Sequence, residues 1–239
     1  MRAYLDKMAP DYGSYPLGYN ILKWGYMELN DIQKIAAYAL PIIFAITVHE
    51  AAHGYVAKYF GDMTAHYLNR ITLNPIKHID PLGTIILPAL LYFSSAGFIF
   101  GWAKPVPVNF SKLRNPRKDM LWVALAGPAA NLFMAIFWTI IFAKQHLFPE
   151  SSQSFLNVMS LVGIQINTVL MVLNLLPIPP LDGGRVAVSL LPYPWSNKLA
   201  SLERYGFFII LFMLVTGILG VILFPLIRVT QGFIFSIFA

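Results

Sequence analysis

Within the 239-residue chain, His49-Glu50-Ala51-Ala52-His53 forms the pattern H-E-x-x-H. On a helix, positions i and i+4 share one face, so the two imidazoles converge on one point and the intervening carboxylate lies beside it. That is the chemistry of metal-assisted hydrolysis. An ion held by the two rings lowers the pKa of a water beside it towards about 7, and Glu50 can take the proton as general base. Two histidines fall short of the three protein ligands usual for a catalytic zinc. His66, His78 and His146 lie in or near connectors and read as surface or interfacial residues. Among the acids, Asp80 and Asp119 flank apolar runs, whereas Asp182 closes an uncharged stretch inside the segment 174–184, NLLPIPPLDGG. Asp182 is the best candidate third ligand; the competing role is a cap on a helix that begins near Gly183. Prolines break a helix and remove backbone donors, and the two glycines permit tight turns, so this segment can present a side chain from extended backbone.

The elements that must position these groups follow from composition. Hydrophobic residues make up 57% of the chain and charged residues 12%, about half the charge of an average globular protein. An ordinary soluble domain is excluded on that ground, and disorder by the aliphatic and aromatic content. The absence of cysteine excludes a disulfide scaffold and a thiolate metal site. The net charge of +6, from 17 Lys and Arg against 11 Asp and Glu, sits in short stretches between uncharged runs. It reads as membrane-flanking charge and not as a nucleic-acid surface.

Four runs carry no Asp, Glu, Lys or Arg: Pro81–Ala103, Met120–Ala143, Ser154–Leu181 and Tyr205–Ile227. Each reaches the roughly 20 apolar residues needed to cross a bilayer. A fifth, Ile35–Val48, is shorter, but the apolar pattern continues past the histidines through Phe60. The chain thus reads as an all-α, multi-pass integral membrane protein. Glu50 would then sit where an ionisable side chain costs about 3 kcal/mol or more, which itself points to function. Irregular backbone around Asp182 is tolerated at membrane depth only where protein or a watery cavity surrounds it. Residues 1–30 are rich in Tyr, Gly and Pro, lack the apolar run of a secretory signal, and read as an N-terminal extension to a transmembrane domain over 31–239.

Three segments together resemble a known family. The HEAAH at 49–53, Gly127-Pro128-Ala129-Ala130-Asn131 in a middle helix and NLLPIPPLDGG at 174–184 occur in the order and membrane setting of the site-2 proteases, the zinc metalloproteases of regulated intramembrane proteolysis. The resemblance covers roughly Pro41 to Ile227. It implies that His49, His53 and Asp182 ligate Zn2+, that Glu50 is the catalytic acid and base, and that Asn174 lines the site and holds substrate backbone or the developing oxyanion. It implies close helix packing at Gly127 and Pro128, an interhelical hydrogen bond from Asn131, and core helices near 35–60, 119–143 and 154–176. No PDZ or CBS-type domain is recognisable, which gives the chain the look of a compact form.

Geometry adds an expectation about topology. At 1.5 Å per residue, His49 lies about 21 Å from a helix start at Ile35 and about 16 Å from an end at Phe60. Asp182 follows a run long enough to cross, so the two ends must share one side of the membrane. The run Pro81–Ala103 must then dip in and return, leaving a re-entrant or half-spanning segment beside three motif-bearing helices and a C-terminal helix. With re-entry the site's side collects 11 of the 17 Lys and Arg residues and is cytoplasmic. With a crossing the split becomes 12 to 5 with the N-terminus cytoplasmic, so charge counting satisfies both and the site geometry favours re-entry. The compact form and the N-terminus without a cleaved signal fit a prokaryotic cytoplasmic membrane. Trp102–Asn109, with prolines at 105 and 107, reads either as an edge strand able to pair with substrate or as a rigid connector. The expected partners are transmembrane protein substrates and the lipid bilayer, with no bearing on oligomeric state. A divalent-metal transporter and a catalytically inactive membrane-protein-binding relative are the alternatives to the endopeptidase.

Overall fold

The computed structural model describes residues 29–94 and 101–238. Most of the predicted N-terminal extension lies outside the described residues. Among the described residues all the regular structure is helical: α1 (Asp31–Tyr59), α2 (Thr64–Tyr67), α3 (Leu87–Phe93), α4 (Pro116–Ala143), α5 (Glu150–Asn174), α6 (Asp182–Leu190), α7 (Trp195–Ser201), α8 (Glu203–Val215) and α9 (Ile218–Phe238). Four of them, α1, α4, α5 and α9, are long and apolar enough to cross a bilayer. The all-α polytopic expectation therefore stands, and the three predicted core helices coincide with α1, α4 and α5.

The packing is that of a membrane protein. Asn131, Thr139, Ser160, Asn167 and Thr168 are fully buried, while Phe133, Phe208, Val221, Val229 and Phe233 are each at least 65% exposed. Lipid removes the hydrophobic incentive to bury large apolar side chains and rewards interhelical hydrogen bonds, so polar residues occupy the interior. The helices α1, α4 and α5 pack pairwise against one another. His49 and His53 of α1 meet Asn131 and Val123 of α4, in reversed order. Asn131 bonds Asn167 of α5, and Trp138 of α4 lies against Gly163 of α5. Hence α4 runs antiparallel to both neighbours, and the ends of α1 and α5 lie on the side where α4 begins.

The apolar run from Pro81 does not cross. It starts as a helical turn with π spacing capped by Asp80, whose side chain accepts the Gly83 N–H, and continues as α3. After residues 95–100 the chain is back at its starting point: Trp102 N–H donates to Gly83 O, the Thr84 hydroxyl donates to Trp102 O, and Lys104 N–H donates to His78 O. A segment whose two ends bond each other enters and leaves on one side, as the site geometry requires.

Two expectations need correction. The run Tyr205–Ile227, long enough for one span, is broken: α8 ends at Val215, and Gly217 turns at a φ of 78° before α9 begins. Left-handed backbone of this kind suits a glycine, which lacks the Cβ that makes it costly, and it ends the helix irrespective of hydrophobicity. The membrane-length C-terminal helix is instead Ile218–Phe238, including Arg228 and Gln231, with Gln231 bonded to Gln165 of α5. His78, placed among surface residues by its connector, is 2% exposed. It is covered by the returning chain, and its Nε2 bonds Thr72 O.

Candidate metal centre

The histidines sit on α1 about 15 Å and 9 Å from its end at Tyr59, since each residue rises about 1.5 Å. Both rings are held from α4. His49 Nδ1 lies 2.5 Å from Asn131 Oδ1, and His53 Nδ1 lies 2.7 Å from Val123 O. A carbonyl only accepts, so His53 Nδ1 carries the proton. The Asn131 amide nitrogen donates to Ala45 O and to Asn167 Oδ1, which leaves Oδ1 facing His49 and makes that Nδ1 the donor as well. Each ring therefore presents its Nε2 lone pair to the same point.

Asp182 supplies the third group. The two Nε2 atoms are 3.1 Å apart, and each lies 3.3 Å from Asp182 Oδ2. Oδ2 is buried and makes no hydrogen bond among the described residues. With both rings neutral, three lone-pair donors aimed at one another repel, and a cation among them removes the repulsion. The spacing suits such a cation: tetrahedral bonds of about 2.0–2.1 Å set ligand atoms about 3.3–3.4 Å apart. The donor set of two neutral imidazoles and one carboxylate suits zinc.

The chain around Asp182 is folded tightly enough to explain its glycines. A Cβ on Gly183 would lie 2.3 Å from Leu175 O, and one on Gly184 would lie 2.3 Å from Pro179 N. The segment after α5 thus doubles back on α6, and Asp182 is the first residue of α6 with Leu181 in the cap position, so the capping role does not apply. Gly127 is more than a packing residue: a Cβ there would lie 2.5 Å from both His49 Cε1 and His53 Nε2, so α4 touches the imidazoles themselves. Asn174 is partly buried, and its amide nitrogen donates to Leu170 O of its own helix.

Glu50 lies between the rings in sequence and reaches across to the returning chain. Its Oε2 accepts the Val106 N–H at 2.7 Å. The segment Trp102–Asn109 forms no strand, and this amide is engaged by Glu50 instead of being available to a substrate strand. Beyond the site, Asp62 is fully buried. Its burial pushes its carboxyl pKa up, but the Thr64 hydroxyl, the N–H groups of Thr64 and Asn109, and nearby Lys112 outweigh that effect and hold it below the ordinary aspartate value.

Sequence reasoning brought out His49, Glu50, His53 and Asp182, and the structure gathers the three proposed ligands. It missed what holds them: Asn131 as the partner of His49, Val123 O, the Val106 N–H and Asn167. Two of these are backbone groups and carry no sequence signal. Asn131 and Asn167 had one, as uncharged polar residues within apolar helices.

These features define a membrane-embedded protein with an internal two-histidine, one-carboxylate cluster able to hold a metal ion and an adjacent glutamate, the construction of a metalloprotease. The family model of peptidase family M50 matches residues 143–216. "Putative zinc metalloprotease YwhC" of Bacillus subtilis (strain 168) is 39% identical over 84% of this chain and 90% of its own length. Proteins of the same descriptor named Rip2, from Mycolicibacterium smegmatis (strain ATCC 700084 / mc(2)155) and Mycobacterium tuberculosis (strain ATCC 25618 / H37Rv), are 29% and 30% identical. These alignments cover 74% and 72% of this chain and 66% and 64% of the relatives. No solved structure matches. The chain belongs to peptidase family M50, the site-2 proteases.

Proposed function

We propose that the protein is a zinc endopeptidase that hydrolyses peptide bonds in or near the transmembrane segments of other membrane proteins, as in regulated intramembrane proteolysis. The observation that carries this reading is the convergence of His49, His53 and Asp182, with ligand atoms 3.1–3.3 Å apart, inside a bundle of membrane-length helices. His49 lies about 15 Å within its helix, so the chemistry falls below the headgroup level.

In this reading Asn131 and Val123 keep both rings in the tautomer that presents Nε2, and the Asp182 carboxylate completes the ligand set. Zinc held by these three groups would polarise a carbonyl and lower the pKa of water towards about 7. Glu50 takes a proton from the attacking water and delivers it to the leaving amine nitrogen, so each peptide bond broken consumes one water and returns the carboxylate unchanged. A helical substrate must unwind locally first, because its scissile carbonyl and amide are otherwise occupied by intrahelical bonds. Asn174, beside the turn that delivers Asp182, is assigned to substrate backbone or the developing oxyanion. The return of the 81–103 segment, with the 11 Lys and Arg residues it leaves on the site's side, supports a site facing the cytoplasm, and the likeness to bacterial relatives supports a prokaryotic cytoplasmic membrane.

The test is Glu50→Gln in protein reconstituted with zinc and a single-span reporter peptide in vesicles. The variant should keep its zinc and lose about 10²–10⁴-fold in cleavage rate, the range for removing a general base. Unaltered cleavage defeats the assignment, and metal flux into the vesicles without cleavage would favour a transporter.

A further inference from the structure

We infer that Arg70 and Asp62 are positioning residues for Glu50, acting through the segment 104–109 that they clamp from either side. The inference rests on the endopeptidase reading for its activity arm and on geometry alone for its structural arm.

Glu50 Oε2 is held by one donor, the Val106 N–H. Val106 lies between Pro105 and Pro107, which have no N–H to offer, so it is the one backbone donor of that triplet. Where this donor points depends on how the segment is seated. On one side, Arg70 Nη2 donates to Lys104 O and Pro105 O, each at 3.1 Å. On the other, Asp62 Oδ2 accepts the Asn109 N–H at 2.6 Å, while Oδ1 accepts the Thr64 N–H and hydroxyl at 2.9 and 2.5 Å. Beneath lies a notch in α1. Gly54 is one helical turn beyond Glu50 on the same face, and a Cβ there would come within 3.1 Å of Val106 Cγ1 and 3.0 Å of Ile71 Cγ1.

Both clamps come from the connector that directly follows the helix carrying Glu50. Helix and segment are therefore tied at 70 to 104–105, at 62 to 109 and at 54 to 106, around the single bond from 106 to 50. The bond engages Oε2 and leaves Oε1 without a partner among the described residues. A carboxylate fixed through one oxygen has fewer rotamers to search before the other can take a proton, and misplacement by about 1 Å can cost up to about 10²-fold in rate.

The experiment combines residue-resolved hydrogen–deuterium exchange with steady-state cleavage of the single-span reporter and a zinc assay, using the full chain in lipid vesicles. In the wild type the Val106 amide should exchange slowly. Glu50→Ala, which removes its acceptor, should speed that exchange about tenfold or more, because breaking a charge-assisted hydrogen bond removes its protection. Arg70→Ala should speed it likewise and lower kcat about tenfold, with KM and zinc content unchanged within about twofold. Arg70→Lys should recover part of both, because lysine can donate to a carbonyl but lacks the planar fork.

The inference is overturned if Val106 exchanges equally in the wild type and Glu50→Ala, or if Arg70→Ala leaves exchange and kcat unaltered. Zinc loss in Arg70→Ala also overturns it, by showing a role in the fold of the metal centre. A rise in KM at constant kcat overturns it in favour of direct substrate contact. Failure of the wild type to cleave the reporter counts against the endopeptidase reading, and the exchange measurements still decide the clamp.

Discussion

The two halves of the proposed catalytic apparatus on α1 are held by different kinds of structure. The metal-facing half, His49 and His53, is buttressed by one regular element: α4 supplies Asn131 Oδ1, Val123 O and the bare Gly127 backbone. The proposed base, Glu50, is held by irregular chain, through a backbone amide of a proline-flanked segment tied to the connector 61–80. A metal site needs several ligands fixed together, and a long helix packed across its neighbours provides that. A general base needs one carboxylate aimed, and a short segment with few donors suffices. Damage to the first half should therefore appear as lost metal, and damage to the second as slow turnover with the metal retained.

The largest break in that contrast is expected from Gly127→Ala. The new methyl would sit 2.5 Å from both imidazoles, whose Nδ1 bonds keep them from swinging aside. Zinc affinity should fall about 100-fold or more, at least the loss typical of disturbing the groups that orient metal ligands. Equilibrium dialysis against a zinc buffer checks this, and wild-type affinity in the variant would show that α4 does not press on the rings.

Asn131→Ala should be milder. It frees His49 Nδ1 and leaves Asn167 Oδ1 and Ala45 O without their donor, while His53 stays anchored at Val123. A loss of about 10–100-fold in zinc affinity is expected. A variant that kept its zinc but turned over slowly would place Asn131 with the base instead.

The smallest effect belongs to Asp62→Asn, outside the metal half. Removing a buried charge that accepts three hydrogen bonds should lower stability by about 1–3 kcal/mol with zinc affinity unaltered. The pH dependence has a definite sign. Because the folded-state pKa of Asp62 is depressed, its contribution is fully present above its unfolded value of about 3.9 and is lost as pH falls through the folded value. Thermal unfolding in detergent should show a weaker acid-side loss for the variant than for the wild type below about pH 4.

The same contrast explains what could be read from sequence. The spacing of His49, Glu50 and His53 is a helical pattern and is legible without coordinates, as is the isolated carboxylate of Asp182 after a charge-free run. The core helices α1, α4 and α5 were legible because membrane spans need only length and apolarity. Those properties do not say which face turns inward, however, since these helices are apolar almost all round. That is why Asn131 could be expected to bond another helix while its partner, His49, stayed hidden. The break at Gly217 was hidden for a related reason: hydrophobicity continues through it, and only backbone conformation ends the helix. The proline-flanked segment drew notice for its pattern, but the useful atom is an amide hydrogen present in nearly every residue.

The side chain of Asn131 touches α1 twice and α5 once. A slide of α5 by a single residue, about 1.5 Å, would pull Asn167 out of reach and loosen the same side chain that steadies His49. Correct seating of three helices and readiness of the metal ligands are thus one event. A newly inserted chain whose spans have not yet found one another cannot cut anything, which builds into assembly a safeguard that many soluble proteases obtain from a removable propeptide.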